Sequence, residues 1–166
     1  MAAAENVVVK RALIAIAVLS LGLWWVEIDS AFGLPAHPLL LHVPVVFVPI
    51  LALASLTLTA GKLDQHRASV AALSVLTLIA VFLTAGAGEA LRRDREDEIT
   101  DKAKLASHAD SGDALIYAML FLTAALLGAL YTKHVVLRVL IAILAIHALF
   151  WVIRTGHLGS ELVWNT

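Results

Sequence analysis

The chain has 166 residues, of which 61% are hydrophobic and only 15% are charged, and its formal net charge is −1. A soluble domain carries about a quarter charged residues, so this composition indicates a membrane protein, and the absence of a positive excess excludes nucleic acid as a default partner. No cysteine is present, which excludes disulfides, thiolate metal sites and cysteine nucleophiles and leaves seven histidines as nitrogen ligands.

Five apolar stretches follow one another along the chain. A spanning helix needs about 17–25 apolar residues, and no strand pattern competes with helices here. Lys10 and Arg11 precede the first stretch, which lacks a good cleavage site and is interpreted as a retained helix rather than a signal peptide. The predicted spans cover residues 12 to about 28, 38–60, 68 to about 91, 114–132 and about 135–153.

The predicted fold is an all-α, polytopic membrane helix bundle with five transmembrane helices, a four-helix core plus an N-terminal helix. Residues 1–33 form the predicted N-terminal transmembrane helix and loop, and residues 34–166 form a four-helix membrane domain with a histidine-rich outer face. The charged run 92–113 predicts a helical extension, a turn and an amphipathic lead into the fourth span. Short connections predict antiparallel neighbours, and no internal repeat is evident.

An odd number of spans places the two termini on opposite sides of the membrane. Lysine and arginine divide equally between the sides, so Lys10 and Arg11, just before the first span, decide the orientation. We predict a multi-pass protein of the bacterial cytoplasmic (inner) membrane, with its N-terminus in the cytoplasm and its C-terminus outside.

The segment 34–49, LPAHPLLLHVPVVFVP, opens the second span and contains two histidines and four prolines, of which Pro38, Pro44 and Pro49 lie in the span itself. Pro44 and Pro49 have no amide hydrogen, so the carbonyls of Leu40 and Val45 lose their helical partners. Histidines at the mouth of an apolar span are costly and usually have a function.

Four histidines and one carboxylate come from the ends of different spans on the same side, and we expect them to converge at the outer membrane face. A nitrogen-rich set with one carboxylate suits iron, copper or zinc. The alternative is that each histidine is solvated or bonded to a free carbonyl at a helix end. The candidate metal ligands are His37, His42, Glu89, His108 and His157.

Haem b is the other cofactor that this arrangement favours. Neutral imidazoles on facing helices ligate haem iron, which makes His42 and His108 the candidate axial pair and Arg154 a candidate partner for the propionates. Gly86 and Gly88 would let a flat macrocycle lie against the third span.

His147 stands apart from this group, because it lies about 15 Å deeper along the fifth span than His157. One interpretation is a histidine that is bonded within the bundle. The functional interpretations are a proton relay, a quinone contact or a deeper haem ligand.

At HPLLLHVP, GEAL, HADSG and GHLGSELVW the chain resembles a bacterial family of polytopic membrane domains of unknown function. That family carries His-Pro and His-x-Pro steps and a Gly-His-x-Gly-Gly-x-Leu-Val-like signature, and its members are sometimes fused to Rieske or cytochrome-type domains. The resemblance covers residues 34–163, with Ser160 in place of the usual second glycine and one His-Pro step at His37-Pro38. It implies the company of membrane redox proteins but no established activity.

Together, these patterns predict a membrane electron-transfer subunit that binds haem b or a transition metal through histidines at the outer face. The alternatives are a non-haem metal-binding membrane enzyme or metal-handling protein, and a structural subunit of a membrane redox complex. The expected partners are the lipid bilayer and other membrane or periplasmic redox proteins, and an oligomer stays open. No nucleotide-binding glycine loop or serine-triad signature assigns catalysis to the chain.

Overall fold

A computed structural model describes the backbone of residues 2–164 and the side chains of residues 7–163. Helices dominate it, and one small hairpin connects the first helix to the rest. The elements are α1 (Ala2–Ser20), β1 (Ser30–Ala31), β2 (Leu34–Pro35), α2 (Ala36–Leu40), α3 (His42–Thr59), α4 (Arg67–Arg95), α5 (Lys102–Gly128) and α6 (Val135–Trp164).

Five helical segments of this part of the chain are long and apolar enough to cross a membrane, which confirms the predicted all-α bundle of five spans. The charged run also follows the prediction: α4 continues to Arg95, a short 3-10 turn follows, and α5 begins at Lys102. Asp101 caps α5 by accepting the Lys104 amide at 2.9 Å. Both α5 and α6 extend past their apolar cores, because polar residues continue each helix.

The prolines break the second span into two helices, with α2 ending at Leu40 and α3 beginning at His42. Pro44 cannot donate to the Leu40 carbonyl. The Thr84 hydroxyl on α4 lies 3.3 Å from that carbonyl and 2.8 Å from the Ala80 carbonyl, so it shares its hydrogen between them. A threonine of the neighbouring helix thus partly replaces the bond that proline removes.

The four core helices form a ring in which α3 contacts α4 and α6, and α5 contacts the same two helices. The buried side chains at the centre are aliphatic or aromatic, as expected for a bundle core. They include Val48, Leu51, Phe82, Met119, Leu122 and Ile141. In contrast, α1 lies outside the ring, mainly against α4, and almost all of its span is exposed.

A hairpin ties the end of the first span to α4. Phe32 and Gly33 both have positive φ, as a two-residue hairpin turn requires. Arg93 of α4 binds the carboxylates of Glu27 and Asp29, which both lie just before the hairpin. The N-terminal segment is therefore held at the end of the bundle where α2 begins.

The ring is built from two similar helix pairs, which corrects the sequence-based statement that no internal repeat is evident. Several positions 71 residues apart are buried in both helix pairs, so we infer that α3–α4 corresponds to α5–α6. The matching positions of the two helix pairs are both buried but hold different side chains, so the repeat shows in the burial pattern and not in sequence identity. Buried pairs at this spacing are Val48 and Met119, Leu51 and Leu122, Ser55 and Leu126, Val70 and Ile141, Thr77 and Ala148, and Val81 and Val152.

Candidate functional site

His37 and His108 meet at one end of the bundle, which we call the histidine end. Their ring centroids are 6.2 Å apart, and the two ring planes are nearly perpendicular at 83°. His37 Nδ1 lies 2.9 Å from the Thr84 carbonyl oxygen, and His108 Nδ1 lies 3.1 Å from the Thr155 carbonyl oxygen. The two histidines therefore make the same contact, each with a threonine 47 residues further along the chain.

A glycine lies against each imidazole one helical turn after the threonine. A Cβ at Gly88 would stand 2.9 Å from His37 Nδ1, and a Cβ at Gly159 would stand 3.0 Å from His108 Cε1. Both rings thus lie against helix backbone where a side chain would exclude them. His37 and Gly88 correspond to His108 and Gly159 in the internal repeat.

The hydrogen bonds fix the tautomer of both rings. A carbonyl oxygen can only accept, so Nδ1 of each neutral imidazole must carry the hydrogen, and Nε2 keeps its lone pair. Metal-binding histidines in proteins commonly use this arrangement, with one ring nitrogen bonded to a backbone carbonyl and the other on the metal. The pair therefore presents two oriented nitrogen donors.

The other predicted metal ligands do not join this pair. His42 is exposed at the start of α3. Both carboxylate oxygens of Glu89 are engaged by Arg92, at 2.5 and 2.9 Å. His157 is exposed, and its Nε2 lies 3.3 Å from a carboxylate oxygen of Glu161. Across the residues that the structure describes, no three His, Asp or Glu side chains form a metal-binding group.

In the structure His37, and not His42 of the predicted axial pair, lies beside His108. The break between α2 and α3 separates His42 from His37 by more than one turn, and only His37 reaches the Thr84 carbonyl. The expected bed for a macrocycle is also occupied. Gly86 is covered by the Val26 carbonyl, and Gly88 is covered by the His37 ring.

Arg154 and His147 lie on the side of the bundle formed by α5 and α6. Arg154 is exposed beside a hollow of about 140 Å³, which Ser107, Asp110, Ser111 and Trp151 also line. His147 is exposed on α6, and its Nε2 accepts the Trp151 indole N–H at 2.9 Å. Since indole is only a donor, this bond occupies the Nε2 lone pair of His147. A proton relay through His147 stays a prediction.

Four residues support the imidazoles, and sequence reasoning named only Gly88 among them, as room for a macrocycle. They are Thr84 and Thr155, whose backbone carbonyls accept hydrogen bonds from the imidazoles, and Gly88 and Gly159, which leave room for the imidazole rings. One signal was present: the motif Thr-x-x-x-Gly occurs at 84–88 and again at 155–159, and the histidines have the same 71-residue spacing. Applied to the sequence, that spacing would have paired His108 with His37 instead of His42.

One family matches most of the chain. The family model described as "predicted membrane protein (DUF2231)" matches residues 33–166, which include both histidines, both threonines and both glycines of the site. No curated protein and no solved structure gives a significant match to the chain.

Proposed function

Because the chain belongs to the DUF2231 family of predicted membrane proteins, we propose that it is a membrane electron-transfer subunit whose redox centre is held by His37 and His108. One observation carries this proposal: two imidazoles lie 6.2 Å apart with their Nδ1 atoms bonded to backbone carbonyls. With Nδ1 of each ring bonded to a carbonyl, the Nε2 atoms of His37 and His108 would be the ones to hold a metal ion.

Haem b is the cofactor that this donor set suits best. His37 and His108 would hold the haem iron as neutral imidazoles, and the porphyrin would supply the iron's other nitrogen ligands. A bare metal ion would need further ligands, and the described residues place no third histidine or carboxylate beside the pair. Bound there, haem b would supply a one-electron couple. The exposed Arg154 side chain, on the helix that also holds Thr155, is the candidate partner for a propionate.

A bare iron, copper or zinc ion is the second candidate, and one observation favours it. Gly86 and Gly88, the small residues that would admit a macrocycle against α4, are already covered by protein atoms. An ion between the two Nε2 atoms needs no such space, and water or a partner protein would complete its coordination.

Spectroscopy and metal analysis of the purified full-length protein test the proposal. We expect a Soret band that shifts on reduction with dithionite and that is lost in both His37→Gln and His108→Gln. His66→Gln is the matched control, because His66 is exposed at the opposite end of the bundle. Stoichiometric metal without a Soret band would select the bare ion. Neither cofactor in the wild-type protein would refute the redox function and leave a structural subunit.

His42→Gln separates the two possible pairings. If the cofactor is lost in His42→Gln and kept in His37→Gln, the ligand pair is His42 and His108, and the arrangement described above is wrong. If His42→Gln keeps the cofactor, the exposed histidine is not an axial ligand.

We further place the histidine end at the outer face of the bacterial cytoplasmic membrane, where periplasmic or membrane redox proteins would exchange electrons with the centre. The chain has no cysteine, so one introduced thiol reports on one position only. Phe32 is fully exposed at the hairpin tip, and Lys62 is exposed in the loop at the opposite end. A membrane-impermeant maleimide should label Phe32→Cys but not Lys62→Cys in intact cells. The reverse result would invert the orientation.

A further inference from the structure

The end of the bundle opposite the histidines holds a cluster of three cations around one carboxylate, which we call the Asp64 cluster. The Asp64 carboxylate lies 2.7 Å from an Arg67 guanidinium nitrogen, 3.2 Å from Arg138 and 3.8 Å from Lys133. Arg67 and Arg138 are 71 residues apart and occupy equivalent positions of the internal repeat. One negative charge therefore serves both halves of the bundle and leaves positive charge uncompensated.

A fourth cation adds to this excess. The Lys10 ammonium nitrogen, on α1, lies 5.0 Å from the centroid of the Tyr131 ring. Tyr131 belongs to the loop that also carries Lys133. Of the thirteen acidic residues in the sequence, only Glu5 and Asp64 lie in segments that the predicted spans assign to this end of the bundle. The surface around the Asp64 cluster is therefore electropositive.

Helix dipoles increase the positive potential. Both α4 and α6 begin at this end, at Arg67 and Val135, and the N-terminus of a helix carries partial positive charge. Cations in the first turn are unfavourable for the same reason, yet Arg67 and Arg138 stand there. The His66 side chain makes no capping bond to α4, and Arg67 Nε is buried without a hydrogen-bond partner among the described residues. An anion bound at this end would offset the positive charge of the helix N-termini and of the basic residues there.

Apolar surface lies directly beside the cluster. Val135, Val136 and Val139 of α6 flank Arg138 in sequence and are 66%, 64% and 54% exposed. Lys133 is also largely exposed, at 69% of its side chain. A ligand that places a phosphate against Lys133 and Arg138 would thus have its adjoining part against valine side chains, at the boundary of a membrane span.

We propose that the Asp64 cluster binds the phosphate headgroup of an anionic phospholipid, with the acyl chains against the exposed valines of α6. Lys133 and Arg138 contact the phosphate, and Asp64 keeps both arginines oriented. Basic residues at the ends of spanning helices commonly recognise anionic headgroups. This site is independent of the histidine pair and of any cofactor there.

Titration of the purified full-length protein with single lipids, followed by native mass spectrometry, tests this site. We expect phosphatidylglycerol to bind more tightly than phosphatidylcholine. Lys133→Gln and Arg138→Gln should each weaken phosphatidylglycerol binding by about fivefold, as expected for one basic residue at a lipid surface. Lys62→Gln is the matched control, since it removes an equal charge from an exposed residue of the neighbouring loop.

Three results would overturn the proposal. Equal binding of the two lipids would remove the role of headgroup charge. If Lys62→Gln weakens phosphatidylglycerol binding as much as the other two variants do, general surface charge and not the Asp64 cluster explains the binding. Displacement of phosphatidylglycerol by millimolar inorganic phosphate would show a free-anion site instead of a lipid site. Lys133→Gln keeps the test decisive if Arg138→Gln does not fold, because Lys133 is exposed and its ion pair with Asp64 is long, at 3.8 Å.

Discussion

Alanine at Gly159 should displace the His108 imidazole and so disturb the histidine pair. The new Cβ would stand 3.0 Å from His108 Cε1 and 3.4 Å from Nδ1. The ring would have to move away from α6, and the 3.1 Å bond from Nδ1 to the Thr155 carbonyl would weaken. Gly156→Ala is a control on the same helix, because among the described residues only the helix's own backbone lies near a Cβ at that position.

The expected loss of stability can be worked out from these contacts. Alanine gains about 1 kcal/mol of helix propensity over glycine at either position, so that gain cancels in the comparison. Overpacking costs about 1–3 kcal/mol, and a lost neutral hydrogen bond costs about 0.5–1.5 kcal/mol. The free energy of unfolding of Gly159→Ala should therefore be about 1.5–4.5 kcal/mol below that of Gly156→Ala.

Unfolding by increasing fractions of sodium dodecyl sulfate in mixed micelles, followed by far-ultraviolet circular dichroism, measures this difference. Cofactor content per chain is measured on the same samples, and Gly88→Ala, the equivalent change beside His37, should behave like Gly159→Ala. Equal stability and equal cofactor content in Gly159→Ala and Gly156→Ala would refute the close packing of imidazole on helix backbone.

Two further changes test the rest of the fold. Asp64→Asn leaves the surrounding cations without a counter-charge, so the thermal unfolding temperature should fall, and the fall should be larger at low salt than at high salt. An unchanged unfolding temperature would show that the Asp64 carboxylate does not join the two halves of the bundle. Gly86→Ala places a methyl group against the Val26 carbonyl, so limited proteolysis should cut the linker before α2 faster than in the wild-type protein. Gly112→Ala is the control, because its new methyl group contacts no neighbouring helix among the described residues. Equal cleavage rates in the two variants would count against the contact between Gly86 and Val26.

Much of the fold was predictable from hydropathy alone. Apolar length gave the five spans, and the charged run 92–113 was correctly divided into a helix end, a turn and a helix start. The ends of α5 and α6 were not predictable in this way, because polar residues continue a helix beyond the bilayer core as readily as they end it. The repeat was missed because matching core positions, such as Leu51 with Leu122 and Ser55 with Leu126, preserve burial more than identity.

The candidate site was only partly predictable, because sequence gives the end of the bundle but not the direction of a side chain. His37 and His108 were both identified, and they meet. Glu89 was offered as a ligand, but its neighbour three residues later is Arg92, which takes both carboxylate oxygens. His157 lies only two residues after Thr155, on a different face of α6, where it is exposed.

The internal repeat has a consequence for the surfaces around the histidine pair. Each half contributes two spanning helices, an even number, so both halves enter the bilayer from the same side, as the subunits of a parallel homodimer would. A homodimer of one half would surround its axis with identical residues. In a single chain the two copies have diverged: Glu89 follows Gly88, whereas Ser160 follows Gly159. Two matched imidazoles are thus flanked by unlike residues, so under the proposed function a redox donor and a redox acceptor would meet different surfaces.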